Sequence, residues 1–349
     1  MAERGTSKVS LRGWGGVAAM ALACALAVVC ALLLPLTQRG GSGGEGDGST
    51  GIGSGGVGTG VQTRAEDCDP KVEGKEPERS VRASGDDSSA AVQAIRNRGY
   101  LSVGVDQNSY RWGYRDPNNT DRSSELEGFD IDLAHEIAKE LLGSPDKIRF
   151  KAIPTNQRIP AIKSGQVDMV VRTMTISCDR LKDVAFSTAY FQTGQQVLAP
   201  KTATDIKGFG ASLAGKRVCS AAGSTAESAL KDGKAKGTLP ADTDISTTVP
   251  NQLDCLVRLQ LGEVDAVVTD GALAASQAAQ DPTVELKGKP FTTEFYGVAM
   301  KQGADGLVAR VNQVLDDYRA GSDGWRASYA KWLEPALGPS AGPPAPKYK

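Results

Sequence analysis

Two runs far apart in the chain share one pattern. Gly165-Gln166-Val167-Asp168-Met169-Val170-Val171 and Gly262-Glu263-Val264-Asp265-Ala266-Val267-Val268 both read G-x-V-D-x-V-V. A turn glycine followed by a β-branched apolar run marks a buried strand. Each run stops abruptly at polar residues, as strands do where an open α/β sheet presents its ligand crevice. The first passes into Arg172, Thr173, Thr175 and Arg180, a set suited to an anion, and the second stops at Asp270, which suits a cation. A chain built on two such strands is expected to form two like lobes around a cleft of opposite charges, the complement of a zwitterion.

The rest of the chain supplies the elements such lobes need. Apolar spacing predicts helices over residues 90–98, 129–142, 158–163, 225–230, 252–261, 307–319 and 325–333. Strands are expected over 101–105, 147–152, 216–219, 246–249 and about 296–300. Strand and helix alternate, which implies mostly parallel sheets flanked by helices. The boundaries expected are 86–192 plus 298–335 for lobe 1 and 193–297 for lobe 2, joined by two crossings.

Outside the lobes the composition changes. Residues 14–36 carry no charge and as a helix would span roughly 35 Å, enough for a hydrocarbon core. Arg4, Lys8 and Arg12 precede them, so the positive-inside rule keeps 1–13 in the cytoplasm and places the remainder outside. A cleaved signal peptide is the rival reading, from Ala21-Leu22-Ala23 and Ala25-Leu26-Ala27, but the apolar run continues to Leu36. Cys24 and Cys30 lack the context of a lipidated cysteine. Residues 37–85, rich in glycine and serine at their start, read as a flexible tether, and 336–349 as a proline-rich disordered tail.

Charge and residue chemistry narrow the function. Lys+Arg number 40 against Asp+Glu 41, so no global field favours nucleic acid. The single histidine, His135, sits beside the apolar stripe of the helix over 129–142 with no nucleophile pattern near it, which argues against a catalytic triad and against a metal set. Four cysteines lie beyond the apolar segment and allow three pairings. The preferred one joins Cys219 to Cys255 within lobe 2 and leaves Cys68 to pin the end of the tether to Cys178. In an arginine-containing turn, the hydroxyls of Thr173, Thr175 and Ser177 can surround a carboxylate whose oxygens meet the guanidinium fork. Gly223-Ser224-Thr225 offers a helix N-terminus, which also favours anions.

These residues carry a resemblance. Leu126-Glu127-Gly128-Phe129-Asp130-Ile131-Asp132-Leu133-Ala134, Thr175-Ile176-Ser177 through Arg180, Ala185-Phe186-Ser187, Leu213-Ala214-Gly215-Lys216-Arg217-Val218 and Asp270 are similar to the extracytoplasmic amino-acid-binding proteins of ABC importers, solute-binding protein family 3. The similarity runs from about residue 90 to 333 and is strongest to the glutamate-binding branch. It implies a two-lobed type II periplasmic-binding-protein fold hinged near 192–194 and 296–297. It further implies that Arg180 holds the ligand α-carboxylate, helped by Thr175 and the backbone around Ser224 and Thr225. Asp270 would hold the α-ammonium, and Tyr110 or Trp112 would place an aromatic ring against the ligand.

Arg158 and Arg172 begin or end elements that point at the cleft, so one or both are expected to pair with a side-chain carboxylate, making the ligand glutamate or aspartate. The expected role is a monomeric binding protein without cofactor that delivers its amino acid to a permease. A membrane sensor sharing the same ligand is the alternative. A dehydratase-like enzyme is disfavoured, because Asp270 stands in the ammonium position and no histidine faces the cleft.

Overall fold

The computed structural model describes residues 68–116 and 126–349. The expected anchor over 14–36 and most of the tether lie outside the described residues. Among the described residues, no helix is long and apolar enough to cross a membrane.

Strand β1 (Arg79–Ser80) leads to helix α1 (Ala90–Arg98), which Ser89 caps by accepting from Val92 N and which Gly99 closes at φ 81°. There follow β2 (Leu101–Val105), a short hairpin of β3 (Asn108–Ser109) and β4 (Gly113–Tyr114), α2 (Phe129–Leu142), β5 (Ile148–Ala152), α3 (Arg158–Lys163), β6 (Met169–Val170) and β7 (Val184–Phe186). Strand β8 (Phe191–Thr193) crosses to the second lobe. That lobe contains β9 (Gln195–Pro200), β10 (Val218–Ala221), α4 (Thr225–Ala235), β11 (Thr248–Val249), α5 (Gln252–Gln260), β12 (Ala266–Asp270), α6 (Gly271–Gln280) and β13 (Val284–Lys287). Strand β14 (Glu294–Tyr296) returns, and β15 (Ala299–Lys301), α7 (Asp305–Ala320), α8 (Trp325–Trp332), the short α9 (Glu334–Leu337) and β16 (Lys347–Tyr348) complete the chain.

The two five-stranded sheets have the same plan, β5-β2-β6-β15-β7 and β11-β10-β12-β9-β13. In each, the repeated run supplies the middle strand, β6 or β12, parallel to β2 or β10. The aspartates of the two runs do the same local work. Asp168 accepts from Ser102 N at 2.8 Å and pairs with Arg98, while Asp265 accepts from Arg217 N at 2.8 Å and pairs with the Arg217 guanidinium. Each thereby satisfies an amide beside its strand start.

In each sheet only the fourth strand is antiparallel to its neighbours, β15 in the first and β9 in the second. Both enter from the β8–β14 crossing, an antiparallel ladder in which Thr193 faces Glu294 and Phe191 faces Tyr296. A strand entering from the crossing starts at the cleft and must run away from it, against strands that end there. The connection is tight at Gly194, where a Cβ would lie 2.0 Å from Thr292 O, so glycine is required.

Disulfides join Cys219 to Cys255, tying β10 to α5 inside the second lobe's core, and Cys68 to Cys178, two residues before Arg180. The segment over 68–85 is therefore held to the body rather than free. The tail is a correction too: instead of being disordered, β16 pairs in parallel with β1, with Lys347 on Glu78 at 2.7 Å and Lys349 N donating to Ser80 O at 2.8 Å. Proline and small residues in 338–346 carry the chain back along the body, and the few polar residues that follow supply the ladder and the ion pair. The Ala-rich α6 and strands β8, β9 and β13 were not among the expected elements.

Candidate functional site

The first-lobe side of the site grows from the end of β6. Val171 N still bonds Gly104 O, after which the chain turns through Thr173, held at φ 39°, a conformation unusual for a β-branched residue. Asp130 in the first turn of α2 holds it there. Its Oδ2 accepts from Thr173 N at 2.9 Å and its Oδ1 from the Tyr190 hydroxyl at 2.9 Å. Burial pushes the Asp130 carboxyl up to about 7, against the stabilising effect of those donors. The strand-like segment through Thr175 then pairs with Tyr296 of the crossing, and Arg180 opens a 3-10 turn over Arg180–Lys182.

Arg180 is buried. Its Nη1 donates to Thr175 O at 2.7 Å and its Nη2 reaches across to Gly223 O at 3.1 Å in the second lobe. Arg158, at the start of α3 and 3% exposed, donates from Nε to Thr155 O at 2.9 Å and from Nη1 to Arg172 O at 3.1 Å. Among the described residues, every guanidinium hydrogen bond of these two arginines goes to a backbone carbonyl and none to a carboxylate. Burial lowers the pKa of both, and for Arg158 repulsion from Arg180 and Arg172 lowers it further. Glu294 and Asp270 oppose the fall for Arg180, and Asp270 and Asp106 for Arg158. A guanidinium keeps its proton even so, and with those acids outside hydrogen-bond contact each of the two can still pair with an anion.

The second-lobe side grows from the end of β12. Asp270 is buried at the junction with α6, with Tyr296 OH donating to its Oδ2 and Gln195 Nε2 to its Oδ1. Burial first, and the neighbouring Glu294 carboxylate second, raise it to about 7. Gln195, the first residue after Gly194, is fully buried, and its Oε1 has no hydrogen-bond partner among the described residues. Nearby, Ser224 caps α4 by accepting from Glu227 N at 3.1 Å, and Thr225 sits in the first turn, where backbone N–H groups lack intrahelical acceptors.

Arg172 differs from the expectation. It is fully buried, but Asp106 at the end of β2 neutralises it at 2.7 Å. Its Nη1 donates to Thr155 Oγ1 at 3.1 Å and its Nη2 to Asn251 Oδ1 at 3.2 Å, at the start of α5. Arg172 is thus an ion pair of the first lobe that also grips the second, and the carboxylate it was expected to take from a ligand is supplied by the chain. Trp112 is likewise part of the packing. It is fully buried among Phe129, Phe191 and Tyr296, and its Nε1 donates to Ser276 Oγ at 3.2 Å across the lobes. Tyr110 is half-buried against Tyr114, beside Gln252 and Leu273 of the second lobe.

The structure therefore brings Arg180, Thr175, Thr225 and Asp270 into one buried network and adds residues that sequence reasoning missed: Gln195, Glu294, Tyr296, Asp106 and Asp130. A signal existed for the first of these, because Gln195-Gln196 opens a strand that is otherwise apolar through Ala199.

A family model described as bacterial extracellular solute-binding proteins, family 3, matches residues 101–335. The ABC transporter glutamine-binding protein GlnH of Bacillus subtilis is 33% identical over 253 residues, covering 72% of this chain and 88% of that protein. The glutamate-binding protein GluB of Corynebacterium glutamicum is 28% identical, covering 68% and 82%. Among solved structures, an ancestral arginine-binding protein bound to arginine superposes with a TM-score of 0.60 at 35% identity, covering 68% of this chain and 99% of that one.

Proposed function

The chain belongs to family 3 of the bacterial extracellular solute-binding proteins, and we propose that it captures a dicarboxylic amino acid, L-glutamate or L-aspartate, outside the cytoplasm for delivery to an ABC importer. The observation that carries this reading is the pair of buried arginines, Arg158 and Arg180, whose guanidinium groups, among the described residues, hydrogen-bond backbone carbonyls and no carboxylate. Two guanidinium groups without a hydrogen-bonded carboxylate suit two ligand carboxylates. Arg180, beside Thr175 and the N-terminus of α4, takes the α-carboxylate, and Arg158 takes that of the side chain. Asp270 takes the ammonium group. Arg172 has no such role, since Asp106 already neutralises it.

Capture works by differential contact: a ligand that touches both lobes stabilises their closed arrangement by the affinity it gains there. The proposal includes an anchor over 14–36, with the tether joining lobe 1 at the Cys68–Cys178 disulfide, beside the Arg180 turn.

Glutamine is the second reading, favoured by the unpartnered Gln195 Oε1, which could accept from a ligand amide. Isothermal calorimetry separates the two. L-glutamate or L-aspartate is expected to bind about tenfold or more tighter than L-glutamine, the value of a hydrogen-bonded charge over its neutral isostere. Arg158→Gln is expected to remove that preference. Equal or tighter binding of L-glutamine by the parent chain would assign the side-chain pocket to an amide.

A further inference from the structure

Among the described residues, Glu294 is the one buried acid of the cleft region that belongs to the crossing rather than to a lobe. Its carboxylate gathers donors from four segments. Oε2 accepts from Thr175 Oγ1 at 2.6 Å in the first lobe and from Thr225 Oγ1 at 2.9 Å in the second. Oε1 accepts from Gln195 Nε2 at 3.0 Å and from Thr292 Oγ1 at 3.4 Å. One carboxylate on the hinge therefore holds hydroxyls from both walls of the cleft.

The same network leaves an imbalance around Asp270. Gln195 Nε2 has two hydrogens, yet three acceptors converge on it: Asp270 Oδ1, Glu294 Oε1 and Thr225 Oγ1 at 3.1 Å. Two carboxylates share one neutral amide, and the amide's own oxygen is buried without a partner among the described residues. The groups facing Asp270 are Glu294 and Tyr296 from β14, Gln195 from β9, Arg180 from its turn and, at longer range, Arg158 from α3. The acceptor excess and the paired acids fit a primary ammonium, which brings three donors and a positive charge.

We propose that Glu294 is a positioning residue of the ammonium subsite: from the crossing strand it ties Thr175 to Thr225 and places a second negative charge beside Asp270, coupling ammonium binding to contact between the lobes. The inference rests on the reading of Asp270 as the ammonium partner. Like-charge repulsion from Glu294 adds to burial in favouring protonated Asp270. An arriving ammonium displaces that proton, which leaves to solvent, and the carboxylate then pairs with the ligand. A glutamate serving only as a hydrogen-bond acceptor would not influence this proton.

Carbon-13 NMR of the full chain, with Asp270 assigned through Asp270→Asn, tests the electrostatic half without any ligand. Glu294→Gln keeps the size and one acceptor but removes the charge. It is expected to lower the Asp270 midpoint by about one unit, whereas Glu294→Asp leaves it near the parent value. An unchanged midpoint in a Glu294→Gln protein with native near-ultraviolet dichroism overturns the proposal.

Calorimetry with whichever of the twenty standard amino acids the parent binds most tightly tests the coupling. Parent affinity is expected to rise about tenfold from pH 6 to pH 8, and that of Glu294→Gln roughly twofold. Equal pH slopes overturn the coupling. If the variant does not fold, titrations of the parent at pH 6 in buffers of different ionisation enthalpy test the step on which the coupling depends: release of close to one proton supports displacement of the Asp270 proton, and none overturns the proposal. A parent that binds no amino acid would instead overturn the functional reading, while the carboxyl titration would still judge Glu294.

Discussion

Asp270→Asn is expected to weaken amino-acid binding by about two to three orders of magnitude while leaving the unliganded fold at neutral pH at least as stable as the parent. Both effects have one origin. Asp270 is buried, and burial together with Glu294 raises its carboxyl to about 7. An asparagine would keep an oxygen for Tyr296 OH or Gln195 Nε2 but carry no charge. A ligand ammonium would then lose the carboxylate it pairs with, at a cost on the order of 3 to 5 kcal/mol, and each 1.4 kcal/mol is about tenfold in affinity.

The stability effect has the opposite sign. An acid whose folded-state pKa lies above its unfolded value of about 3.9 holds its proton more tightly when folded, so stability falls as pH rises from about 4 to about 7. Asp130 behaves in the same way. The parent should therefore melt at a lower temperature at pH 7.5 than at pH 5, and Asp270→Asn should show less of that fall. Calorimetric binding and thermal melts at both pH values check the pair. Retained affinity in the variant would remove Asp270 from the ligand.

Arg172→Met has the second large effect, on folding. Removing the guanidinium leaves Asp106 buried without its cation, although Gln107 N, Asn108 N and Ser109 Oγ still donate to it. Breaking one partner of a buried pair costs on the order of 3 to 5 kcal/mol, or a melting temperature lower by roughly 10 °C for a body of this size. The variant also loses the grip on Asn251 and Gln252 across the lobes. Combining it with Asp106→Asn should cost clearly less than the two single changes added, because the second change removes the stranded charge. If Arg172→Met kept its full melting temperature and lost only acidic ligands, Arg172 would return to the side-chain pocket.

The contrast between Arg172 and Arg158 shows where sequence reading ends. Both are arginines at element ends that face the cleft, and local pattern treats them alike. What separates them is Asp106, sixty-six positions before Arg172 and brought beside it by the parallel pairing of β2 with β6. The repeated strands were legible because burial on both faces writes itself into consecutive β-branched residues. The structure puts them at the same place in two sheets of one plan. Glu294 was not legible, since its partners Thr175, Thr225 and Gln195 come from three distant segments. The tail misled for a compositional reason: proline and glycine dominate 338–346, while the ladder with β1 is made by two later residues, Lys347 and Tyr348. Tyr110 and Trp112 were not separable, because an aromatic beside a cleft and an aromatic packed between lobes, as Trp112 is, have the same local sequence.

In the proposed complex one ligand presents a carboxylate to Arg180 and an ammonium to Asp270. Calorimetric titration of the full chain with L-glutamate, glutarate and 4-aminobutyrate separates the two contacts. Glutarate keeps both carboxylates without the ammonium, and 4-aminobutyrate keeps an amine without the α-carboxylate. L-glutamate is expected to bind, with both analogues weaker by about a hundredfold or more. Glutarate binding as tightly as L-glutamate would remove the ammonium from the site, and L-glutamate failing to bind would overturn the dicarboxylate assignment.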